Sequence, residues 1–125
     1  MKELIISQTF STPGVVFNPK SGELKIEGRS IPENPDDLYL KLLEWIHGYF
    51  KKPAELTRII VKLEYVNSGS SKFLLEIFRT LKRYHDEGKE SVVEWYFEEE
   101  DESIMELGGH FESTTGLPFN MHIIY

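Results

Sequence analysis

Hydroxyl groups are the side chains best placed to do chemistry in this sequence. Asn67-Ser68-Gly69-Ser70-Ser71-Lys72 sets three serines where a β-branched run gives way to a helical one. One use of such side-chain oxygens is capping, in which Asn67, Ser68, Ser70 or Ser71 would satisfy a backbone N–H left without a partner in the first turn of the helix. A second is modification. A phosphoryl group at a helix N-terminus meets free N–H groups and the positive end of the dipole, and it adds nearly two negative charges to an exposed loop. One cap leaves hydroxyls to spare, so both uses stay open. Serine catalysis has little support, because Gly-x-Ser-x-Gly is absent and Gly69-Ser70-Ser71 does not complete it. The same stretch lacks the first glycine and the Gly-Lys-Ser/Thr order of a phosphate-binding loop. The histidines at 47, 85, 110 and 122 could be distant partners, but nothing in the sequence sets one beside Ser68.

Two other stretches invite a chemical reading. Glu98-Glu99-Glu100-Asp101-Glu102 has neither the spacing nor the glycine of a calcium-binding loop, and reads as a solvated acidic helix start. With no cysteine, and no two histidines at ligand spacing on one helix, a zinc site is not expected. No cofactor is implied. Gly28-Arg29-Ser30-Ile31-Pro32-Glu33-Asn34-Pro35 reads as a rigid turn leading into a helix, with Ser30, Glu33 and Asn34 as candidates for shaping the serine loop if the fold brings the two together.

Composition narrows the function classes. The net charge is −7, and Lys51-Lys52 and Lys82-Arg83 are too short to make a basic patch, so a nucleic-acid role is not expected. No apolar run approaches the roughly 20 residues of a membrane span, and the N-terminal residues do not read as a signal peptide. The expectation is a cytoplasmic, soluble protein without a membrane role. Its 125 residues, 40% of them apolar, suit one domain over 1–125.

The elements that must position these residues follow from periodicity. Residues 14–18 and 22–28 read as a hairpin, and Glu3–Ser7 as a further strand. Asn34 is expected to cap the first helix, with Pro35 at its first position and Leu38, Leu42, Trp45, Ile46 and Tyr49 on its apolar face. Residues 56–66 form a buried central strand. Phe73, Leu74, Ile77, Phe78, Leu81 and Tyr84 then make the stripe of a second helix that ends near Gly88. Residues 91–97 and 119–125 are strands flanking a third helix, inside which Gly108-Gly109 suggests close packing or an early end. The order predicts an α/β fold with a mixed sheet, antiparallel at first and then parallel through crossovers. Parallel strands ending near 28, 66 and 97 would set the loops 28–34, 67–71 and 98–101 along one edge, the usual place for a site. A small-ligand- or metal-binding enzyme using those loops is the alternative to a binding module.

Three segments, "TPGVVFNPKSGELKIEGRSIPENP", "LEYVNSGSSK" and "EWYFEEEDESIMELGGHF", resemble the SiaC family of bacterial regulatory phosphoproteins, and the resemblance runs from about Thr12 to Phe119. It implies a STAS-like domain with helices mainly on one face of the sheet, and a non-catalytic, partner-switching role in signal transduction. A protein kinase would phosphorylate the serine loop and a PP2C-type phosphatase would reverse it. The unmodified form would bind a diguanylate cyclase or similar effector, with cyclic di-GMP output and biofilm behaviour downstream. The family usually has Asn-Thr-Ser-Ser-Ser-Lys with the threonine as acceptor. The resemblance therefore assigns the phosphate to Ser68, with Ser70 and Ser71 as alternatives. Asn67, Gly69, Ser70, Ser71 and Lys72 would frame it, and Ser30, Glu33 and Asn34 would flank it.

Overall fold

The computed structural model describes residues 1–125. Nine elements follow one another: β1 (Leu4–Ile6), β2 (Gly14–Asn18), β3 (Glu23–Ser30), α1 (Asp36–Tyr49), β4 (Thr57–Val66), α2 (Ser68–Asp86), β5 (Ser91–Glu98), α3 (Glu102–Thr115) and β6 (Phe119–Ile124). The six strands form one sheet in chain order. β1, β2 and β3 run antiparallel, whereas β3 to β6 are parallel. Each parallel step needs a crossover, and the three helices supply them. Crossovers of one hand that always advance in the same direction leave their helices on one face of the sheet.

Burial follows from that arrangement. Along β4, Thr57, Ile59, Val61 and Leu63 are buried beneath the helices, while Arg58, Ile60, Lys62 and Glu64 lie on the other face. The core joins Val15, Phe17, Leu24 and Ile26 to Val93, Trp95, Phe111 and Phe119, with Leu42 and Ile46 from α1 and Leu74, Ile77, Phe78 and Leu81 from α2. Gly108 is required here, since a Cβ would sit 2.5 Å from the Trp95 indole. The close-packing reading of Gly108 therefore holds and the early end does not, because α3 continues to Thr115. At Gly109 a Cβ would meet nothing, so that glycine has no packing role.

One expectation needs correction. Asn34 does not cap α1. The N-cap position is Pro35, which makes no side-chain bond, and Asn34 is exposed. α1 begins one residue later than that cap requires, because Pro35 already has helical backbone angles (φ −70°, ψ −16°) and its carbonyl accepts the first helical N–H, from Tyr39 (3.0 Å). The first turn of α1 relies instead on Asp36 and Asp37 at the positive end of its dipole.

Candidate functional site

Asn67 lies between β4 and α2, and it binds the two candidate loops together. Its backbone N–H donates to the Ser30 carbonyl (3.0 Å) and its side-chain Nδ2 donates to the Pro32 carbonyl (2.9 Å). Its Oδ1 accepts from the Ser70 N–H (2.9 Å), so Asn67, not a serine, caps α2. Loops 28–34 and 67–71 are therefore neighbours, as parallel pairing of β3 with β4 predicts. Gly69 tightens the junction. A Cβ there would stand 3.0 Å from Pro35 Cγ, so the glycine lets α2 start hard against the entry to α1.

The three serines differ sharply. Ser70 is fully buried, as are Ser30 and Tyr39. Ser30 Oγ donates to Ser70 Oγ at 2.8 Å and lies 2.6 Å from the Tyr39 hydroxyl. With Ser30's single proton committed to Ser70, Tyr39 is the donor in the second bond. This chain of neutral hydroxyls ties β3, α1 and α2 together beneath the loop. Burial pushes the Tyr39 phenol above its ordinary pKa, and the hydroxyls of Ser30 and Ser70 offset only part of that rise. Ser71 is half-buried, and its N–H donates to the Asn67 carbonyl at 2.9 Å. Ser68 is exposed at the first position of α2. The N–H groups of Ser68 and Gly69 have no hydrogen-bond partner in the protein, so the positive end of α2 opens at the Ser68 side chain. Lys72 is exposed and outside every ion pair.

Other candidates stand further off. Glu33 and Asn34 are exposed and make no hydrogen bond to the serine loop. The third loop approaches from β5, where Asp101 Oδ1 caps α3 by accepting from the Ile104 N–H (3.0 Å). A cleft of about 440 Å³ at this end of the sheet is lined by Gly28, Lys62, Tyr65, Tyr96, Glu98 and Asp101 among others, and by no residue of 67–71. No three His, Asp or Glu side chains converge in a way that could hold a metal ion.

Tyr39 escaped the sequence reading. Its signal was present, since Tyr39, Leu42, Ile46 and Tyr49 repeat at helical spacing and are the buried residues of α1. A second polar cluster was also missed, on the sheet face away from the helices. Glu94 accepts from Arg58 (2.9 Å) and Asn120 (3.1 Å), and its other oxygen lies 2.6 Å from His122 Nε2. Desolvation works to raise the Glu94 pKa, but His122, Asn120 and Arg58 together outweigh it and hold the carboxyl below the ordinary range. None of these residues belongs to the serine loop.

Comparison with known proteins bears on this geometry. The sequence model of the family described as SiaC family regulatory phosphoprotein matches residues 6–124. An uncharacterized protein of Pseudomonas aeruginosa strain UCBPP-PA14 is 27% identical over 119 residues, covering 95% of this chain and 94% of the relative. SiaC of Pseudomonas aeruginosa, solved in complex with the diguanylate cyclase SiaD that it activates, superposes with a TM-score of 0.91 at 26% identity, over 97% of this chain and 99% of that one. Apo-SiaC from the same organism gives 0.89 at 25% identity, over 98% and 99%. The mixed six-stranded sheet with three helices is thus the architecture of solved SiaC structures, and the chain belongs to the SiaC family of regulatory phosphoproteins.

Proposed function

We propose that this protein is a non-catalytic partner switch whose acceptor is Ser68, and that its unphosphorylated form binds and activates a diguanylate cyclase. A protein kinase adds the phosphate and a PP2C-type phosphatase removes it. The observation that carries the reading is the contrast within the loop: Ser68 is exposed beside two unpartnered N–H groups, whereas Ser70 is buried in a hydroxyl chain. A phosphate on Ser68 meets those N–H groups and the α2 dipole, so it is accommodated without unfolding the helix. Lys72, one turn on and free of ion pairs, is a second counter-charge, although an exposed pair adds little stability. Switching then acts at the docking surface. A dianion at the centre of an interface must be desolvated, and without a matching cation on the partner it abolishes binding.

Membership of the family and the cyclase bound by the SiaC relative both support this reading. The strand-end cleft gives the enzyme alternative less support, because it takes no residue from the serine loop and Glu94, the carboxylate with a displaced pKa, lies outside it. The test is intact mass after incubation with the cognate kinase and ATP. Wild type should gain one phosphoryl group and Ser68→Ala none. A full increment in Ser68→Ala would move the acceptor elsewhere, with Ser71 the next hydroxyl to test.

A further inference from the structure

The arginines of this chain divide into two kinds. Arg29 and Arg58 are strand residues in ion pairs, with Glu64 (3.4 Å) and Glu94 (2.9 Å). Arg79 and Arg83, the only others, belong to no ion pair. Both line one hollow of about 360 Å³ on the helical side of the molecule. Glu76 and Lys82 of α2 complete its wall with Thr114 and Thr115 of α3, and no apolar residue contributes.

Three cations on one stretch of helix carry a cost. Arg79, Lys82 and Arg83 stand at i, i+3 and i+4, the spacing at which like charges repel on a helix surface. Glu76 could relieve this from one turn earlier, yet it pairs with none of them. Lys82 has local partners: Asp86 lies 2.9 Å from its ammonium, and its stem runs beside Gly116, where α3 ends. The arginines have no such partner. Arg83 spends one N–H on the Thr80 hydroxyl (3.3 Å), and Arg79 makes no side-chain hydrogen bond. The Thr115 hydroxyl is committed to the Phe111 carbonyl (2.7 Å), whereas that of Thr114 is free to donate. A local conflict of charge that nothing in the molecule resolves is the mark of a functional site.

We infer that this hollow binds a small polyanion of two or more linked phosphoryl groups, as in pyrophosphate or the phosphate chain of a nucleotide. Each guanidinium presents a planar fork of donors that matches phosphate oxygens bidentately, and two forks one turn apart suit two linked groups. Without apolar lining, nothing in the hollow would hold a base or an acyl chain, so the phosphates alone are recognised. Arg79 stands eleven residues along α2 from Ser68, roughly 16 Å at helical rise. That exceeds the Debye length of about 8 Å, so the site works whether or not the serine loop is modified.

Titration calorimetry of the full chain with pyrophosphate tests this. Pyrophosphate should bind roughly tenfold or more tightly than inorganic phosphate, and less tightly as salt is added. Arg79→Gln and Arg83→Gln should each weaken it roughly tenfold, while the Tm of the free protein stays level or rises as repulsion is relieved. Removing two exposed charges elsewhere, with Lys51→Gln and Lys52→Gln together, should leave the affinity unchanged. ATP should bind as pyrophosphate does, and adenosine should not bind. No binding of pyrophosphate would overturn the inference. So would binding that Lys51→Gln and Lys52→Gln weaken as much as the arginine variants do, which is an adventitious ion only. ATP binding far more tightly than pyrophosphate would contradict recognition by phosphates alone. A phosphoserine peptide captured through Arg79 and Arg83 while pyrophosphate is ignored would make the hollow a protein-docking site instead.

Discussion

Two polar clusters sit on opposite faces of one sheet, and they solve burial differently. Ser30, Tyr39 and Ser70 lie beneath the helices, fully buried and uncharged, each hydroxyl satisfied by another. Glu94 lies on the face without helices, ionised and held by Arg58, Asn120 and His122, whose side chains reach water. Neutral hydroxyls can be taken out of water when paired, whereas a charge that deep would cost several kcal/mol. The distinction decides which serine can carry a phosphate. Ser70 belongs to the dry cluster, where a dianion could be neither solvated nor paired. Ser68, two residues earlier, belongs to the surface.

The largest effect that would break this comparison is a charge placed in the dry cluster. Ser70→Asp should lose about 3–5 kcal/mol of stability, enough to unfold much of the protein, because the carboxylate has no buried partner. Ser68→Asp should fold like wild type. Equal tolerance of the two substitutions in denaturant melts would remove the structural ground for preferring Ser68. Next comes Ser30→Ala, which strands the Tyr39 and Ser70 hydroxyls. A loss of about 1–3 kcal/mol is expected, with a smaller loss when Tyr39→Phe is combined with it than the separate losses would sum to.

Asn67→Ala should cost about 0.5–2 kcal/mol through the lost cap, plus the bond to Pro32, and should loosen loop 28–34 from the serine loop. Faster exchange of the Ser70 amide and of the backbone amide at position 67, which bonds the Ser30 carbonyl, would register both changes. pH separates the clusters most finely. Glu94 has its folded-state pKa depressed, so its contribution is present above the unfolded carboxylate pKa and disappears as pH falls through the lower folded value. Tyr39 has its pKa raised, so its contribution is complete below the unfolded value of about 10 and disappears as pH rises through the higher folded value. Glu94→Gln should therefore flatten the acid limb of the stability profile, and Tyr39→Phe the alkaline limb. Each variant changing the other's limb would contradict the assignment.

Much of the fold was legible because period and punctuation agree. Thr57–Val66 is rich in β-branched residues, and Asn67 followed by the 74–77–78–81 stripe marks the start and buried face of α2. The adjacency of loops 28–34 and 67–71 followed from strand order alone. What stayed hidden depends on contacts across the chain. Asn67 was legible as one of four cap candidates, and its bond to the Pro32 carbonyl, a contact across the chain, is what singles it out. Ser70 did carry a signal, since 70–74–77–81 continues the buried stripe, but a serine there reads as surface until Ser30 and Tyr39 are seen to meet it. Glu94 alternates with buried residues of β5, and nothing local indicates that its partners come from β4 and β6. Asn34 misled because its residue type and the proline after it suit a cap, while the first helical hydrogen bond starts from the Pro35 carbonyl.

The most direct test is affinity for the cognate diguanylate cyclase, measured by calorimetry with unmodified protein and with protein carrying a single phosphate located at Ser68 by fragment mass spectrometry. The account predicts binding of the unmodified form and loss of binding on phosphorylation, with Ser68→Ala binding as wild type does whether or not kinase and ATP are present. Equal affinity of the two forms, or a phosphate that blocks binding from any other residue, would contradict it.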